Sequence, residues 1–500
     1  MFCKVSLLTV ALGLLASASP TGRFYEPITV PSELSGDISR GHGSIPTMPP
    51  PVLSTAPPDS VKPTSTVVPT SSAFSKIPFN PGTKTSSLTQ PELGPGPVRI
   101  PIKKRIDLSM LNDTLTFDRL LDMTARTINK HRKNLMVIDN KVGLTNYRHG
   151  AHIPSSATAP VATPVPTQTS GAVPTSTQQG VELLDEDEYL LWRGTITIGT
   201  PPQTFMMDFD TGSADLFVAS TSCSGCEGQD TYNPEDSSTS AQQSGTFEEA
   251  YGGGDDTSGA TGEVYTDVVN IAGVNVTAQY FGVVAQESGS LSELPVDGLV
   301  GMAWPALSVL NQNPFFWTAI AQNAVPEGVF GFYLAGNDSE LFLGGTDSSR
   351  YTGSIEYHPL VSDVGYWQIG GASISISGQS VASDFETVID SGTSLIYGPP
   401  DVVAQVYQGI EGASQFEEGY YSFSCDSSPV VSFSWGGNDF QMSADSFNAG
   451  ELEEGTCMGA IIGVDMGMGD NVWLVGDAFL VNVYSAFNVD NTSVGFATLA

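Results

Sequence analysis

Two short segments of the sequence place an aspartate in the same setting. The first, DFDTGSADLF, contains Asp210, and the second, VIDSGTSLIY, contains Asp390. In both, an apolar residue precedes the Asp, and a hydroxyl residue, a glycine and a second hydroxyl residue follow it. From the composition of this chain, one such five-residue pattern should occur by chance roughly 0.05 times. Two solvated Asx turns are the alternative, and the repeat disfavours it.

A second pair of segments follows the first at matching distances. DGLVGMA at 297–303 and WLVGDAF at 473–479 both carry two apolar residues before a glycine. Gly301 follows its aspartate by 91 residues, and Gly476 follows its aspartate by 86 residues. We therefore predict an internal duplication that supplies one aspartate from each half.

Two aspartates within hydrogen-bonding distance cannot both ionise cheaply, so they share one proton. The ionised carboxylate can take a proton from a water molecule held between them. The protonated carboxyl group can donate to the carbonyl oxygen of an amide under attack. A glycine after each Asp permits a tight turn, and the neighbouring hydroxyls can orient the carboxylates. The residues assigned to this supporting role are Thr211, Gly212, Ser213, Ser391, Gly392 and Thr393.

The elements that would position these residues are mostly strands. From about residue 182 onward, short β-rich runs such as GTITIGT and ASISISG alternate with Gly, Asn and Ser turns. This texture predicts an all-β fold. The best helical candidate in this region is PPDVVAQVYQGIEG at 399–412, which has prolines at its start.

The N-terminal third has a different composition. Residues 1–18 read as a secretory signal peptide, with a cationic residue, an apolar run and a small-residue cleavage signature. Residues 19–98 and 153–184 are rich in Pro, Ser and Thr, which predicts disorder. Residues 99–152 form a basic block whose apolar residues have roughly helical spacing, which predicts an amphipathic helix or two. No stretch is long enough to span a bilayer and no lipid-anchor signal ends the chain, so we expect a secreted protein.

Charge is divided unevenly along the chain. Residues 1–180 hold 17 of the 19 Lys and Arg, so residues 181–500 carry 44 acids against two cations, Arg193 and Arg350, a net charge of −42. A surface of that charge repels nucleic acid and anionic membranes. Acid would relieve the self-repulsion by protonating carboxylates, so we expect a protein that works in acidic surroundings. An acidic surface kept only for solubility is the alternative.

Four cysteines follow the predicted signal peptide: Cys223, Cys226, Cys425 and Cys457. An even number in a secreted chain predicts two disulfides, with three pairings open and nearest-neighbour pairing favoured. A zinc half-site or a redox motif at CSGC is the alternative, but no second ligand pair or thioredoxin-like unit accompanies it.

From about residue 185 to the C-terminus, the sequence resembles the pepsin-like aspartic endopeptidases, especially secreted fungal ones. Besides the two Asp motifs, RGTITIGTPPQTF is similar to the first strands of that family, and FYLAGNDSELFLGGTDSSRYTGSIEYHPL is similar to its junction between lobes. The resemblance implies a bilobal β fold with lobes at 185–350 and 351–500, a cleft between them, and a Cys425–Cys457 disulfide in the second lobe. It also implies cleavage of internal peptide bonds in proteins and peptides by an Asp210–Asp390 dyad through an activated water, without metal, cofactor or covalent intermediate.

The resemblance also predicts a β-hairpin flap over the cleft, within EEAYGGGDDTSGATGEVY. Tyr251 matches the flap tyrosine of the family, and Gly252 and Gly253 follow it. The family usually has Trp where this chain has Phe217, so flap positioning here must rely on packing or on another group. The flap is also a few residues longer than the common pattern, with Asp255 and Asp256 added near its tip.

Two further aspartates flank Asp210. Asp208 lies two residues earlier, on the same face of a regular strand. Similar fungal enzymes have an acid there, near the primary specificity pocket. We therefore expect a mainly apolar or aromatic preference, with basic side chains tolerated through Asp208 or Asp255; a solvated acid on the rim is the alternative. Asp215 is expected to support the turn and the surface.

The basic block precedes a cation-poor enzyme, with 11 Lys and Arg against five acids in residues 99–149. A segment of that charge can cover an acidic cleft at neutral pH and leave when acid protonates the carboxylates, which predicts a zymogen inhibited by its own prosegment. Lys141 and Arg148, beside Tyr147, are the candidates for the cation at the dyad. A separate arm that binds nucleic acid or cell wall is the alternative for this block.

Four N-glycosylation sequons fit a secreted glycoprotein, at Asn112, Asn275, Asn337 and Asn491. We expect a monomer. The rival function is a catalytically silent pepsin-fold protein that binds or inhibits a partner, and the intact Asp-Gly motifs disfavour it. A structural wall protein dominated by its Ser/Thr/Pro stretches is the third and weakest reading.

Overall fold

The computed structural model describes residues 96–101, 103–104, 117–157, 192–250, 259–289, 291, 296–334, 339–362 and 364–500. Its helices are α1 (Phe117–Lys141), α2 (Leu144–Tyr147), α3 (Phe315–Ala321), α4 (Pro400–Gln408), α5 (Ala444–Phe447) and α6 (Asp477–Leu480). The helix predicted at 399–412 is confirmed by α4. Among these helices, none combines the length and the apolar character needed to cross a membrane.

Strands dominate the described residues, which confirms the predicted all-β fold. Those before residue 350 are β1 (Val98–Pro101), β2 (Lys103–Lys104), β3 (Trp192–Ile198), β4 (Gln203–Asp210), β5 (Leu216–Ser224), β6 (Ala241–Ala250), β7 (Gly259–Ile271), β8 (Val274–Ser288), β9 (Gly298–Gly301), β10 (Val329–Tyr333) and β11 (Glu340–Leu343). Those after it are β12 (Tyr351–Pro359), β13 (Gln368–Ile376), β14 (Gln379–Ile389), β15 (Ile396–Gly398), β16 (Ser414–Glu417), β17 (Tyr420–Ser424), β18 (Val431–Ser434), β19 (Asp439–Gln441), β20 (Asn448–Glu453), β21 (Thr456–Gly459), β22 (Ile461–Gly463), β23 (Val472–Val475), β24 (Val483–Asn488) and β25 (Ser493–Leu499).

The first half of the protein forms an eight-stranded sheet in the order β2-β3-β4-β9-β5-β8-β7-β6. In β4, Phe205, Met207 and Phe209 are buried in the main apolar core. Because side chains alternate along a strand, Asp208 and Asp210 lie on the opposite face. Strand β4 pairs in parallel with β9, the strand of the DGLVGMA segment.

The second half repeats this arrangement in a seven-stranded sheet, ordered β19-β18-β13-β14-β23-β15-β22. Here β14, which leads into Asp390, pairs in parallel with β23, the strand of the WLVGDAF segment. In each half the second strand of the pair also runs antiparallel to the strand that follows the Asp loop, β5 or β15. The duplication predicted from the sequence is therefore present as two equivalent strand pairs.

Two further sheets complete the described fold. A six-stranded sheet, in the order β1-β11-β10-β24-β25-β12, combines strands from both halves with β1 from the basic block. A four-stranded sheet has the order β16-β17-β21-β20. Aromatic rings pack between the halves, where Phe330 stacks on Phe487 and both contact Trp367.

Helix α1 confirms the amphipathic helix predicted in the basic block. Its apolar residues recur every three or four positions, and the resulting stripe is buried at Leu120, Met123, Leu135 and Ile138. The helix ends where the backbone N–H of Gly143 donates to the carbonyl of Asp139, with Gly143 at φ +80°. Glycine adopts this left-handed conformation without steric cost, so the chain can turn there.

Candidate active site

Both repeated aspartates are buried in equivalent turns. Asp210 is the last residue of β4, Asp390 directly follows β14, and their exposed fractions are 1% and 0%. Each carboxylate accepts the backbone N–H of the glycine two residues later, at 2.8 Å from Gly212 and 2.9 Å from Gly392. These bonds fix the two carboxyl groups in the same orientation relative to their own loops.

The two glycines bring the aspartate loops close together. A Cβ atom at Gly212 would collide with the Asp390 carboxyl group, and a Cβ atom at Gly392 would collide with the Asp210 carboxyl group. Each half therefore needs a glycine so that the carboxyl group of the other half can approach.

The first hydroxyl residue of each loop joins the halves. The Thr211 hydroxyl donates to the carbonyl of Ile389 at 3.0 Å, and the Ser391 hydroxyl donates to the carbonyl of Phe209 at 2.9 Å. Each hydroxyl oxygen also accepts the backbone N–H of the other residue. Thr211 and Ser391 thus hold one loop against the other and make no side-chain bond to the carboxylates.

The second hydroxyl residue of each loop behaves differently in the two halves. The Thr393 hydroxyl donates to Asp390 Oδ2 at 2.7 Å. The hydroxyl of Ser213, in contrast, is buried and has no hydrogen-bond partner within the described part of the chain. The two carboxyl groups therefore have unequal surroundings despite equivalent backbones.

Lys130 of α1 inserts its ammonium group between the two aspartates. Its Nζ atom lies 2.8 Å from Asp210 Oδ1, 3.2 Å from Asp390 Oδ1 and 3.1 Å from Asp390 Oδ2. It also donates to the carbonyl of Gly392 at 3.3 Å. One buried cation thus contacts both halves of the duplicated site.

The two cations favoured from the sequence lie elsewhere, and that prediction was wrong. Lys141 donates to the carbonyl of Ser308 at 2.7 Å, and Arg148 forms an ion pair with Glu386. Lys141 ends α1, about three turns beyond Lys130, so it cannot reach the aspartates while Lys130 occupies the site.

Comparison with known proteins identifies the family of this chain. The model of the family described as eukaryotic aspartyl protease matches residues 191–499. The chain belongs to the eukaryotic aspartyl protease family. This membership confirms the resemblance found in the sequence, and with it the bilobal pepsin-like fold and the activity of an aspartic endopeptidase.

Relatives with known names share about a third or more of the aligned residues with this aspartyl protease. An aspartic protease of Phaffia rhodozyma is 42% identical over 327 residues, which cover 63% of this chain and 78% of that protein. Pepsin A of Sus scrofa is 37% identical over 319 residues, covering 61% of this chain and 81% of the pepsin. Major aspartyl peptidase 1 of Cryptococcus neoformans var. grubii is 34% identical over 349 residues, covering 64% of this chain and 71% of that peptidase.

A buried histidine stands beside Lys130 in the protease. His131 places Nε2 3.0 Å from Asp390 Oδ2 and Nδ1 3.2 Å from the hydroxyl oxygen of Tyr366. One turn further along α1, the Asn134 side chain donates to the carbonyl of Gly212 at 2.8 Å. Three side chains of α1 therefore contact the two aspartate loops.

These contacts set the charges of the dyad. Burial would lower the pKa of Lys130, but the two carboxylates raise it above its ordinary value. Burial and the charge of Asp390 raise the pKa of Asp210 to about 6, although Lys130 opposes the rise. Burial would also raise the pKa of Asp390, but Lys130 and His131 outweigh burial and hold that pKa well below its usual value. Although Lys130 lies closer to Asp210, Asp390 has additional donors in His131 and Thr393, so we assign the ionised form to Asp390.

Asp208 lies in the interior, which excludes the solvated rim position considered as the alternative. It is 4% exposed, and its Oδ1 atom has no hydrogen-bond partner within the described part of the chain. Burial and the neighbouring Asp210 raise its pKa to about 8, although Lys130 opposes the rise. Asp208 is therefore a neutral carboxyl group at pH 7 in this form of the protease.

Asp215 was expected to support the turn and the surface, and the surface part was wrong. It is 4% exposed and accepts the Ser308 hydroxyl at 2.6 Å and the backbone N–H of Val309 at 2.6 Å. These bonds tie the end of the first Asp loop to the short helical turn at Pro305–Leu307 and the residues after it. A buried carboxylate is tolerated here because it is hydrogen-bonded.

The hairpin expected to carry the flap is formed by β6 and β7, which pair antiparallel up to Ala250 and Gly259. Its tip at 251–258, with Tyr251, Gly252, Gly253 and Asp255, lies outside the described residues. Phe217 is fully buried against Phe247 of β6, with ring centroids 5.5 Å apart. The arm of the hairpin is therefore packed on Phe217 by apolar contact.

The hairpin also contacts α1. The Lys133 ammonium donates to the carbonyl of Glu248 at 3.2 Å and lies 3.8 Å from the carboxylate of Glu249. Because Lys130 and Lys133 are three residues apart, one face of α1 meets both the dyad and the hairpin arm.

Cysteine pairing follows the nearest-neighbour prediction. The structure joins Cys223 to Cys226 and Cys425 to Cys457. Of the four sequons, Asn275 and Asn491 are exposed, and Asn112 and Asn337 lie outside the described residues.

Four residues of this site were not singled out from the sequence: Lys130, His131, Asn134 and Tyr366. A signal for the first three was present. They fall on the buried stripe of α1, between the apolar positions Met123 and Leu135, where a charged residue needs a partner. Tyr366 carries no comparable local signal, because it lies in a loop before β13 and meets α1 only in the folded protein.

Proposed function

We propose that this aspartyl protease is a secreted zymogen, closed at neutral pH by residues 117–157 and active in acid after those residues leave. The observation that carries the proposal is the Lys130 ammonium group between Asp210 and Asp390. A lysine at that position occupies the space where a water molecule would have to be held for hydrolysis. The segment 117–157 is called the prosegment below.

After the prosegment leaves, the two aspartates would perform the hydrolysis. The ionised carboxylate takes a proton from a water molecule, and the resulting hydroxide attacks the carbonyl carbon of the peptide bond. The protonated carboxyl group donates its proton to the carbonyl oxygen, and the tetrahedral intermediate then collapses with a proton delivered to the leaving amine. Asp390 accepts the Thr393 hydroxyl, whereas the Ser213 hydroxyl in the other loop has no partner within the described part of the chain. This difference supports a division of the two roles between the aspartates.

The proposed closure does not depend on Lys130 alone. Asn134 holds the first Asp loop, Lys133 holds the hairpin arm, and Lys141 holds the carbonyl of Ser308. Arg148 pairs with Glu386 in the second half. The prosegment therefore contacts both halves, and the charges across the contact are of opposite sign.

Acid would weaken the part of this contact that Asp390 supplies. The pKa of Asp390 is lowered by Lys130 and His131 despite its burial, so Asp390 favours the closed form at any pH above its ordinary value, about 3.9. That contribution is lost as the pH falls through the lowered pKa. The ion pairs of Lys133 and Arg148 depend on ionised carboxylates, so acid weakens them as well.

Digestion of haemoglobin at about pH 3.5, with and without a statine-type inhibitor, tests the enzyme and its acid activation together. We expect no cleavage at pH 7.5, inhibitable cleavage after acid treatment, and no cleavage by an Asp390→Asn variant that remains folded. A purified chain that never cleaves, although its circular dichroism is native, would support the catalytically silent alternative. Mass spectrometry of secreted protein would give the mature N-terminus, which we expect between about residues 150 and 186.

The substrate preference stays a prediction. We expect cleavage mainly beside apolar or aromatic side chains, with basic side chains tolerated through Asp208 or Asp255. The raised pKa of Asp208, caused first by burial, means that the acid must ionise before it can bind a cation. A peptide library cut at pH values from about 4 to 7 by the wild type and by Asp208→Asn would check this, and equal yields from Lys- and Arg-containing peptides at every pH would contradict a role for Asp208.

A further inference from the structure

We propose that His131 is the proton sensor of the prosegment, neutral while the dyad is covered and protonated as the prosegment leaves. This inference rests on the proposed zymogen function and names its trigger. The pH at which the closed form opens would then depend on one histidine side chain in addition to the carboxylates.

The neutral ring satisfies both contacts of His131. The side chain is 0% exposed, and its two nitrogens are held by groups of opposite character. Nε2 faces Asp390 Oδ2, an ionised acceptor, so Nε2 carries the hydrogen. Nδ1 is then the unprotonated nitrogen and accepts from the hydroxyl of Tyr366.

A second proton on His131 would break this arrangement. If Nδ1 became a donor, its hydrogen and the Tyr366 hydrogen would face each other, and the Tyr366 hydrogen would lose its acceptor. An unmet donor in a buried site costs roughly 1–3 kcal/mol.

The charges around His131 oppose protonation further. Burial has the largest effect and lowers the pKa of His131; the adjacent Lys130 ammonium lowers it as well, while the Asp390 carboxylate partly offsets both. Below about pH 6 Asp210 is protonated, and Lys130 then balances Asp390, the one ionised carboxylate of the dyad. A second cation at His131 would have no ionised carboxylate of its own to pair with. The titratable and charged groups facing His131 are Lys130 of its own helix, Asp210 and Asp390 of the two Asp loops, Tyr366 of the loop before β13, and Tyr147 of α2 beyond Tyr366.

The sign of the pH effect follows from these contacts. The covered histidine has a lowered pKa, so the released histidine binds more protons at mildly acidic pH, and falling pH favours release. With an ordinary pKa near 6.5 after release, one such histidine favours the open form by at most about 10-fold at pH 5.5 and about 100-fold at pH 4.5, the limits for a covered ring that binds no proton. This window lies above the range in which Asp390 loses its charge, so His131 responds to acid before Asp390 does.

Binding of a fluorescein-labelled statine peptide to the full-length chain tests the proposal, because access to the dyad is measured without catalysis. Fluorescence anisotropy would follow probe binding within seconds of a jump from pH 7.5 to values between 7 and 4. In His131→Gln, the amide can donate to Asp390 and accept from Tyr366, but it cannot bind a proton. His149→Gln is the matched control, because His149 lies in the same prosegment with a side chain that is 96% exposed.

We expect the probe to bind His131→Gln several-fold, and at most about 10-fold, more slowly than the wild type at pH 5.5, with the midpoint of opening at least half a pH unit lower. The control should follow the wild type. Equal midpoints for wild type and His131→Gln, or the same shift in the control, would overturn the role of His131. Absence of probe binding to every variant at every pH would contradict the zymogen function, and with it this inference.

A second measurement uses the wild type alone and does not depend on a folded variant. Exchange of the histidine Cε1 hydrogen, read by mass spectrometry, reports the protonation of each histidine. We expect His131 to remain unprotonated at pH 6 as long as the backbone amides of α1 stay protected from exchange. A protonated His131 under a protected α1 would show that the closed form tolerates the charge, and the proposal would be wrong.

Discussion

Thr211 and Ser391 each accept the backbone N–H of the other through the side-chain oxygen, at 2.9 Å for Thr211 and 3.1 Å for Ser391. The two residues are 180 positions apart in the sequence. They belong to different copies of the duplicated segment, so the geometry of the dyad depends on a reciprocal bond between copies.

Replacing Thr211 with Val keeps the side-chain shape and removes this bond. The buried N–H of Ser391 and carbonyl of Ile389 lose their partner, and each unmet group costs roughly 1–3 kcal/mol. We therefore expect a lower free energy of unfolding in urea and a lower kcat in the activated enzyme. Thr204→Val, at an exposed position near the start of β4, should leave both unchanged. Equal urea midpoints for Thr211→Val and the wild type would exclude the reciprocal bond as a source of stability.

Replacing Lys130 with Met should open the protease at neutral pH. Removing one partner of a buried ion pair costs roughly 3–5 kcal/mol, and that cost falls on the closed form, because only there does Lys130 contact the aspartates. We expect binding of the statine probe and self-cleavage of the prosegment at pH 7, and neither from the wild type at that pH. Lys133→Met removes a neighbouring cation that contacts the hairpin arm but not the dyad, and it should remain closed far longer. A Lys130→Met chain that neither binds the probe nor cleaves its prosegment at pH 7 would argue against inhibition by this lysine.

Replacing Asp208 with Asn should stabilise the closed protease relative to the wild type, and this advantage should grow as the pH rises. Burial, reinforced by Asp210, raises the pKa of Asp208 to about 8, so the folded chain keeps a proton that the unfolded chain has lost. The wild type therefore loses stability between about pH 4 and pH 8, by up to about 1.4 kcal/mol per pH unit, whereas Asn does not titrate. Calorimetric scans should show a Tm advantage for the variant that is larger at pH 8 than at pH 5. Asp439→Asn, at an exposed position of β19, provides the comparison, and a pH-independent difference would contradict the shifted pKa.

Removing the two disulfides should have unequal effects. Cys425 and Cys457 are 32 positions apart, whereas Cys223 and Cys226 are three positions apart. On chain entropy, the longer loop contributes about 3.5–4 kcal/mol and the shorter about 2 kcal/mol. Denaturation of the two double-serine variants should therefore place the 425/457 variant at the lower free energy of unfolding. The reverse order would show that loop entropy does not govern these bonds.

The dyad and its setting could be predicted from the sequence because the duplicated segments carry the same residues around each aspartate. Asp210 and Asp390 repeat the same neighbours, and the strands β9 and β23 repeat as well, so pattern and topology agree. The strand content and helix α4 follow from periodicity for the same reason. Phe217 could also be interpreted locally, since a ring without a donor can only pack, and it packs on Phe247.

The contacts that close the site could not be predicted with the same accuracy, because they join distant parts of the chain. Lys141 and Arg148 were favoured for their position beside Tyr147, yet Lys130 reaches the dyad because it projects from the buried stripe of α1. Asp215 looked like a turn residue, and only the fold brings Ser308 to it from 93 positions away. Charge and spacing identify a basic helix, but they do not specify which of its lysines faces inward.

The glycines at 212 and 392 have a consequence for how this protein can change over time. Each lies against the carboxyl group of the opposite copy, so neither position can accept a side chain while the other copy keeps its aspartate. A substitution in one copy is thus judged by the residues of the other. The two halves, although they repeat one another in sequence and strand order, are no longer separate copies and must evolve as a single unit.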